Sequence, residues 1–220
     1  MRILVLGATG RTGRLFLEAA LRRGHEIVAI ARAPGKLASY PITIIQGTPY
    51  EYETVEKAIG GCDAVVNLLG ISRRSDNPWA RLIAPKDLVS RSAANSIKAM
   101  KKSGIKRIIA MSAIGAGDSW KTAPLVLRLI VTFSNLKFAF QDHGRQEKLL
   151  EKSGMDYTIY RAPILTDEKA GIGYAVTKDK INPMTNRLNR VFAANYCLDL
   201  LEGSRHIQEI VNLTNKEIIR

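Results

Sequence analysis

VLGATGRTGRLF, residues 5–16, is the stretch that decides the fold. Gly7, Gly10 and Gly13 stand at every third position directly after the apolar run RILVL. Glycine permits a tight turn at the first position, a close approach of the backbone to a bound phosphate at the second, and close packing of a new helix on a sheet at the third. The stretch therefore predicts a strand, a glycine turn and a helix that starts at the turn.

Short apolar runs alternate with longer amphipathic stretches along the chain. The predicted strands are RILVLG (2–7), HEIVAIAR (25–32), ITIIQG (42–47), AVVNLLG (64–70), IKRIIAMSA (105–113) and MDYTIYRAP (155–163), and the predicted helices lie near Thr12–Arg23, Tyr52–Ile59, Lys86–Ser103 and Phe140–Lys152. Strands that read as continuous apolar runs are typical of a parallel sheet covered on both faces. We predict an α/β fold, a Rossmann-like doubly wound parallel sheet with helices on both faces, in one domain over residues 1–220.

The alternation of apolar runs and amphipathic stretches changes after Pro163. GIGYAVTKD (171–179), a helical stretch over 187–203 and a final EIVNLT (209–214) follow. We expect this part, from about residue 164, to complete the sheet and form one wall of a substrate cleft. Residues 71–85 lack periodicity and carry Asn-Pro, which predicts a loop over the carboxyl edge of the sheet, where ligands bind.

The glycine turn predicts dinucleotide binding, because a helix N-terminus offers unpaired N–H groups and a positive dipole end to phosphates. The alternative is a merely tight structural turn. A carboxylate at the end of the second strand would bind the ribose 2′-hydroxyl of NAD, but AIARAPGK has Arg32 and Lys36 there and no acid. Together with Arg11 these cations favour the 2′-phosphate of NADP(H), unless they are solvated surface charges.

The chain of 220 residues has a net charge of +13 and a pI near 9.9. Such a field attracts the phosphates of a nucleotide, a nucleic acid or a lipid headgroup, and charge alone does not choose among them. The basic residues are spread along the chain without an interleaved aromatic platform, so we expect no dedicated nucleic-acid binding.

The two cysteines, Cys62 and Cys197, lie in apolar surroundings without metal-ligand spacing. We predict buried, reduced thiols and no metal site, which fits a reducing compartment. The chain opens directly on a strand rather than a signal peptide, and the apolar stretch APLVLRLIVTF (123–133) contains Arg128 and is shorter than the roughly 20 residues that span a bilayer. We expect a cytoplasmic protein without a membrane span; the oligomeric state is left open.

GATGRTG, AIAR, AVVNLLG, IKRIIAMSAIGAG and SGMDYTIYRAP occur in this order. The chain thereby resembles the atypical short-chain dehydrogenase/reductase superfamily, and within it the small NAD(P)-binding proteins grouped with NmrA-like proteins and with biliverdin-IXβ/flavin reductase. The resemblance implies that the nicotinamide lies near the ends of the fourth and fifth strands. It implies cofactor contacts at Gly7, Thr9, Gly10, Arg11, Thr12, Gly13, Arg32, Lys36, Leu69, Gly70, Ser112, Ala113, Pro163 and Ile164. Thr48 stands where such proteins often have an acid near the adenine.

Most short-chain reductases donate a proton from a tyrosine in Tyr-x-x-x-Lys, but that position reads AFQDH, with Ala139 for the tyrosine and His143 for the lysine. A conjugated acceptor spreads the negative charge and takes its proton from water, so it does not need the tyrosine. Ser112 and His143 are the candidate catalytic residues; the alternatives are a strand-end cap and a helix residue bonded to backbone. Four aromatic residues are candidates for the acceptor site or for the core: Trp120, Phe133, Phe138 and Phe140.

These observations predict an NADPH-dependent oxidoreductase that acts on a small, planar, conjugated acceptor such as a flavin, a quinone or a tetrapyrrole. The missing tyrosine keeps open a second function, an NmrA-like NADP(H) sensor that binds the cofactor without turnover. An epimerase or dehydratase of nucleotide sugars is disfavoured, because the tyrosine is absent and 220 residues leave little mass for a substrate domain.

Overall fold

Eight strands form the central sheet in the computed structural model of the protein, which describes residues 1–168 and 173–216. The strands in chain order are β1 (Arg2–Leu6), β2 (Glu26–Ala31), β3 (Thr43–Gln46), β4 (Ala64–Asn67), β5 (Arg107–Ala113), β6 (Asp156–Ala162), β7 (Ile164–Thr166), β8 (Tyr174–Thr177), β9 (Arg187–Asn189) and β10 (Glu209–Asn215). The helices are α1 (Arg11–Arg22), α2 (Tyr52–Ala58), α3 (Leu88–Ser103), α4 (Leu125–Thr132), α5 (Leu136–Glu151) and α6 (Arg190–Gly203), with 3₁₀ turns at Pro34–Leu37 and Gly117–Thr122.

The strand order is β3-β2-β1-β4-β5-β6-β10-β8, and β7 pairs with β9 in a separate two-stranded ribbon. All neighbours in the large sheet are parallel except β8, which runs antiparallel to β10. The order reverses between β1 and β4, and a doubly wound sheet binds its ligand at the carboxyl ends of the strands beside such a reversal. The Rossmann-like fold predicted from the sequence is confirmed.

Alternate residues of each central strand face different helical layers. In β1, Ile3 and Val5 pack into the core under α1 and α6, whereas Leu4 and Leu6 pack into the core under α2, α3 and α5. All four side chains are fully buried. The continuous apolar runs of the sequence therefore reflect burial on both faces of the sheet.

Three elements differ from the sequence prediction. Helix α5 begins at Leu136, four residues before the predicted start at Phe140, and the stretch 123–133 contains α4, which the sequence analysis left unassigned. Helix α4 follows Pro124, and Leu127 and Val131, one turn apart, bury its inner side. The predicted helix over 187–203 begins only at Arg190, because the first three residues form β9.

Other expectations agree with the structure. Residues 71–85 form an irregular loop that contains one isolated bridge, between Arg73 and Leu82. Cys62 and Cys197 are buried thiols, and burial raises the pKa of Cys62 to about 11. None of the helices in the part of the chain that the structure describes has the length and apolar content required to span a bilayer.

Candidate functional site

The glycine turn between β1 and α1 leaves no room for side chains. Gly7 has φ +87°, and a Cβ there would lie 2.8 Å from the backbone of Leu68. A Cβ at Gly13 would lie 2.1 Å from the carbonyl oxygen of Gly7. Two of the three glycines are therefore required by the turn itself and by the close approach of α1 to β1 and β4.

The N-terminus of α1 is open towards a ligand. Gly10 is the N-cap residue in an extended conformation, its N–H donates to the Gly7 carbonyl over 2.9 Å, and no described side chain caps the first turn. The first N–H groups of a helix have no partner within the helix, so those of Arg11, Thr12 and Gly13 remain available. Such a terminus suits a diphosphate.

A cleft of about 300 Å³ opens at this turn. It brings together six of the predicted cofactor residues: Gly7, Thr9, Gly10, Arg32, Leu69 and Gly70. Thr48, Pro49 and Tyr50 line it as well, of which the sequence analysis singled out only Thr48. Arg32 is the one charged side chain among the described residues that line the cleft.

Arg11 is placed apart from Arg32. Its guanidinium donates to Asp76 over 2.9 Å and to Asp167 over 3.4 Å, and Asp167 also accepts from Arg190 over 2.6 Å. Arg11 thereby joins the 71–85 loop to the segment that follows β7. The structure does not bring Arg11 into the cleft that Arg32 lines, and its predicted contact with the cofactor stays a prediction.

The other predicted residues lie around the cleft. Lys36 is exposed in the 3₁₀ turn after β2, and Thr12 and Gly13 are buried in α1. Ser112 and Ala113 end β5 beside the end of β6, where Pro163 and Ile164 follow. The structure thus gathers the predicted residues at the carboxyl edge of one sheet, and their contacts with a cofactor remain predictions.

A buried ion pair lies beneath the end of β5. Arg161 donates to both carboxylate oxygens of Glu147, through Nε over 2.9 Å and Nη2 over 2.7 Å, and it also pairs with Asp118. Burial opposes the charge of Arg161, but its bonds to Glu147 and Asp118 together raise its pKa. Ser112 Oγ donates to Oε1 of Glu147 over 2.7 Å. The Ser112 hydroxyl proton is therefore committed, and only its lone pairs are available to a ligand.

His143 is buried on the same helix, one turn before Glu147. Its Nδ1 has no hydrogen-bond partner among the described residues. Burial lowers the pKa of His143, although Glu147 and Asp142 oppose the shift. The imidazole is therefore neutral at pH 7, where it can accept one hydrogen bond and donate another but is a poor proton source.

The fourth and fifth strands are tied to α5 by a second buried network, which the sequence analysis missed. Asn67 Nδ2 donates to Oε1 of Gln146 over 2.7 Å, and Gln146 Nε2 donates to the Met111 carbonyl over 3.1 Å. Asn67 Oδ1 accepts from the N–H of Leu69 over 3.1 Å, which holds the loop at the cleft. The signal was an asparagine at the end of an otherwise apolar strand, because a buried amide needs partners.

A larger cavity, of about 440 Å³, lies between the Gly117–Thr122 turn, α4 and α5. Trp120 and Phe140 line it with their ring centroids 6.5 Å apart, and three cations, Lys137, Arg145 and Lys148, line it too. Phe138 and Phe133 lie outside its lining; Phe138 packs under the Lys86 ammonium and Phe133 is exposed. The cavity begins two residues after β5 ends, at Gly115.

The chain matches a known protein family and several individual relatives. The NAD(P)H-binding family model matches residues 7–203. The photosystem II assembly factor Ycf39 of Synechocystis is 28% identical over 202 residues, and the match covers 81% of this chain but only 56% of that relative's length. The uncharacterized sugar epimerase YhfK of Bacillus subtilis is 28% identical over 229 residues, covering 95% of this chain and 98% of that protein.

Among solved structures, the anaerobilin reductase ChuY of Escherichia coli O157:H7 superposes with a TM-score of 0.81 at 21% identity. The superposition covers 99% of this chain and 98% of ChuY. At this identity the likeness shows that the two chains share a fold.

Proposed function

Because this chain belongs to the NAD(P)H-binding family, we propose that it is an NADPH-dependent oxidoreductase that transfers hydride to a flat, conjugated acceptor such as a flavin, a quinone or a linear tetrapyrrole. The observation that carries the proposal is the combination of Ala139 at the tyrosine position, a buried neutral His143, and an aromatic cavity beside the end of β5. Such a site lacks the proton donor that ketone reduction uses.

The phosphate-binding parts fit a dinucleotide. The glycine turn admits a backbone approach, and the open first turn of α1 supplies N–H donors and a positive dipole end to a diphosphate. Arg32 at the end of β2, with no carboxylate among the described residues of the cleft, favours a 2′-phosphate over a bare ribose hydroxyl. A guanidinium binds a phosphate with two parallel hydrogen bonds. These features support NADP(H) in preference to NAD(H).

When bound, the reduced nicotinamide supplies the hydride. Leu69 and Gly70 would border its ribose, and Ser112, whose proton is donated to Glu147, would accept a hydrogen bond from the carboxamide N–H group. His143, whose neutral imidazole can accept or donate a hydrogen bond, would hold the ribose. The Glu147–Arg161 ion pair fixes Ser112, and so positions the acceptor atom of that contact.

The acceptor would occupy the larger cavity, between Trp120 and Phe140. Aromatic side chains bind flat ring systems by stacking or edge contacts. Lys137 and Lys148 have no ion-pair partner among the described carboxylates, so they can bind the carboxylate or phosphate groups that many flavins and tetrapyrroles carry. The proton comes from water, because a conjugated acceptor delocalises the added charge.

The experiment mixes purified protein with NADPH and, in turn, FMN, a soluble quinone and biliverdin, and follows NADPH absorbance. Oxidation of NADPH that requires both protein and one of these acceptors supports the proposal. Phe140→Ala should raise KM for that acceptor without changing the Kd for NADPH, because Phe140 lines only the larger cavity. Tight NADPH binding with no oxidation by any acceptor contradicts the proposal and favours the NADP(H) sensor.

A further inference from the structure

Helix α4 presents an apolar face that the fold does not cover. Inwardly, Leu127 and Val131 are buried against the protein. The outward face, together with the neighbouring tryptophan, forms a patch that we call the α4 surface, made of Leu125 (69% exposed), Val126 (58%), Leu129 (48%), Phe133 (71%) and Trp79 (60%). Large apolar side chains grouped in this way on a surface mark an interaction site.

Hydrogen bonds hold Trp79 beside the C-terminal end of α4. Trp79 Nε1 donates to the Phe133 carbonyl over 2.9 Å, which places the tryptophan at the C-terminal end of α4. Asn135 Nδ2 donates in turn to the Trp79 carbonyl over 3.0 Å. The spacing of Leu125, Leu129 and Phe133 aligns them along one side of the helix.

Every charged residue within the two chain segments that carry this surface is basic. From Ser119 to Gln141 the chain carries Lys121, Arg128 and Lys137 and no acid, and residues 77–86 carry Arg81 and Lys86 and no acid. The four acids that border these segments are each bonded to another side chain: Asp76 to Arg11, Asp87 to Tyr50, Asp118 to Arg161 and Asp142 to Arg145. The whole chain has a net charge of +13. An apolar helix face bordered by Lys and Arg, with aromatic residues at its edge, is the pattern of a segment that lies in the headgroup region of a membrane.

We propose that the α4 surface docks the protein on a bilayer rich in anionic phospholipid, with the apolar side chains in the headgroup–acyl boundary and the surrounding cations at the lipid phosphates. Charge complementarity identifies the occupant, because a second copy of this chain would bring the same cations face to face. The larger cavity shares α4 through Val131 and Thr132, so its wall would lie at the membrane. The proposal does not depend on hydride transfer.

The test is flotation of the full chain with vesicles of phosphatidylcholine alone and of phosphatidylcholine with roughly one-third phosphatidylglycerol. Binding should require the anionic lipid and, in a Trp120→Phe variant whose remaining tryptophan is Trp79, shift the emission to shorter wavelength. Leu129→Gln with Phe133→Gln should weaken it at least about tenfold. The matched control, Leu149→Gln with Val191→Gln, changes two exposed apolar residues elsewhere and should bind as the native protein does.

A second pair of variants separates docking from general attraction. Arg128→Glu reverses a charge on α4, and Lys57→Glu makes the same change of charge at an exposed residue of α2. Each basic residue near the surface contributes roughly a fivefold change in partitioning, so only the first should lose binding by that factor or more. Three results would each overturn the proposal. The first is an equal loss of vesicle binding in Arg128→Glu and Lys57→Glu, and the second is unchanged binding of the Leu129/Phe133 double variant. The third is a native protein that does not float with vesicles but forms a dimer in solution, which the same double variant converts to monomers. Circular dichroism confirms that each variant is folded.

Discussion

Replacing Arg32 with Glu should weaken the binding of NADPH and leave the binding of NADH nearly unchanged. Arg32 directly follows β2 and is the one charged side chain among the described residues that line the nucleotide cleft. A carboxylate at this point binds the 2′-hydroxyl of NAD and repels a 2′-phosphate. Arg32→Glu therefore removes the attraction and introduces the discriminating group of NAD-binding proteins in one step.

The size of the effect follows from the exposure of Arg32. A hydrogen bond to a charged group contributes about 1.5–3 kcal/mol. Because Arg32 is exposed, its long-range Coulomb attraction to a phosphate is weak, about 1 kcal/mol in water, so the charged hydrogen bond sets the size of the effect. We expect the Kd for NADPH to rise about 10- to 150-fold. The Kd for NADH should change by less than about threefold, because NADH lacks the phosphate.

The assay is titration of each cofactor into the native protein, Arg32→Glu and a control, Arg22→Glu. Arg22 is exposed in the last turn of α1, away from the glycine turn, and its replacement changes the net charge by the same amount. The control separates a direct contact from the field of a chain with net charge +13. Equal losses for NADPH and NADH, or equal losses in the two variants, would refute the reasoning.

Three further outcomes are expected. Gly13→Ala places a methyl group 2.1 Å from a backbone oxygen and should weaken NADPH binding at least about tenfold in a titration, whereas Gly60→Ala, with open space around it, should not. Glu147→Gln leaves Asp118 as the carboxylate partner of the buried Arg161 and should lower the free energy of unfolding by about 1.5–3 kcal/mol in urea; a cost below about 1 kcal/mol contradicts this. His143 has a lowered pKa, so the unfolded chain binds its proton first and stability falls as pH drops below about 6.5; His143→Gln should flatten that decline in unfolding free energies measured from neutral to mildly acidic pH.

The sheet and the glycine turn could be predicted because their signals are local. Gly7, Gly10 and Gly13 fall within seven residues, and each central strand is a single apolar run. Right-handed crossovers between parallel strands then leave few possible strand orders. Arg32 lies at the cleft because it is the residue directly after β2, and its contact with a 2′-phosphate stays a prediction.

The buried hydrogen bonds of Ser112, Glu147 and Arg161 could not be predicted, because the bonded residues are distant from one another in sequence. Ser112 and Glu147 are 35 residues apart, and the sequence around one of them does not indicate that the other is its hydrogen-bond partner. Arg11 shows the same limit more sharply. Its position beside the glycine turn suggested a phosphate contact, which stays a prediction, but the sequence did not indicate the bonds of its guanidinium to Asp76 and Asp167, 65 and 156 residues away. The role of a cation in a motif is inferred from the residues next to it in sequence, whereas its ion-pair partner is determined by the tertiary structure.

The buried ion pair and the missing tyrosine have one chemical consequence. In Tyr-x-x-x-Lys enzymes a lysine cation lowers the pKa of the phenol that donates the proton. Here Ala139 removes the phenol, burial keeps His143 neutral, and the positive charge of Arg161 is neutralised by Glu147 and Asp118. Neither a proton donor nor an unpaired cation that could activate one is therefore found among these residues. This chemistry supports the proposal that the acceptor is an extended conjugated molecule rather than a simple ketone, because such a molecule stabilises the added charge itself.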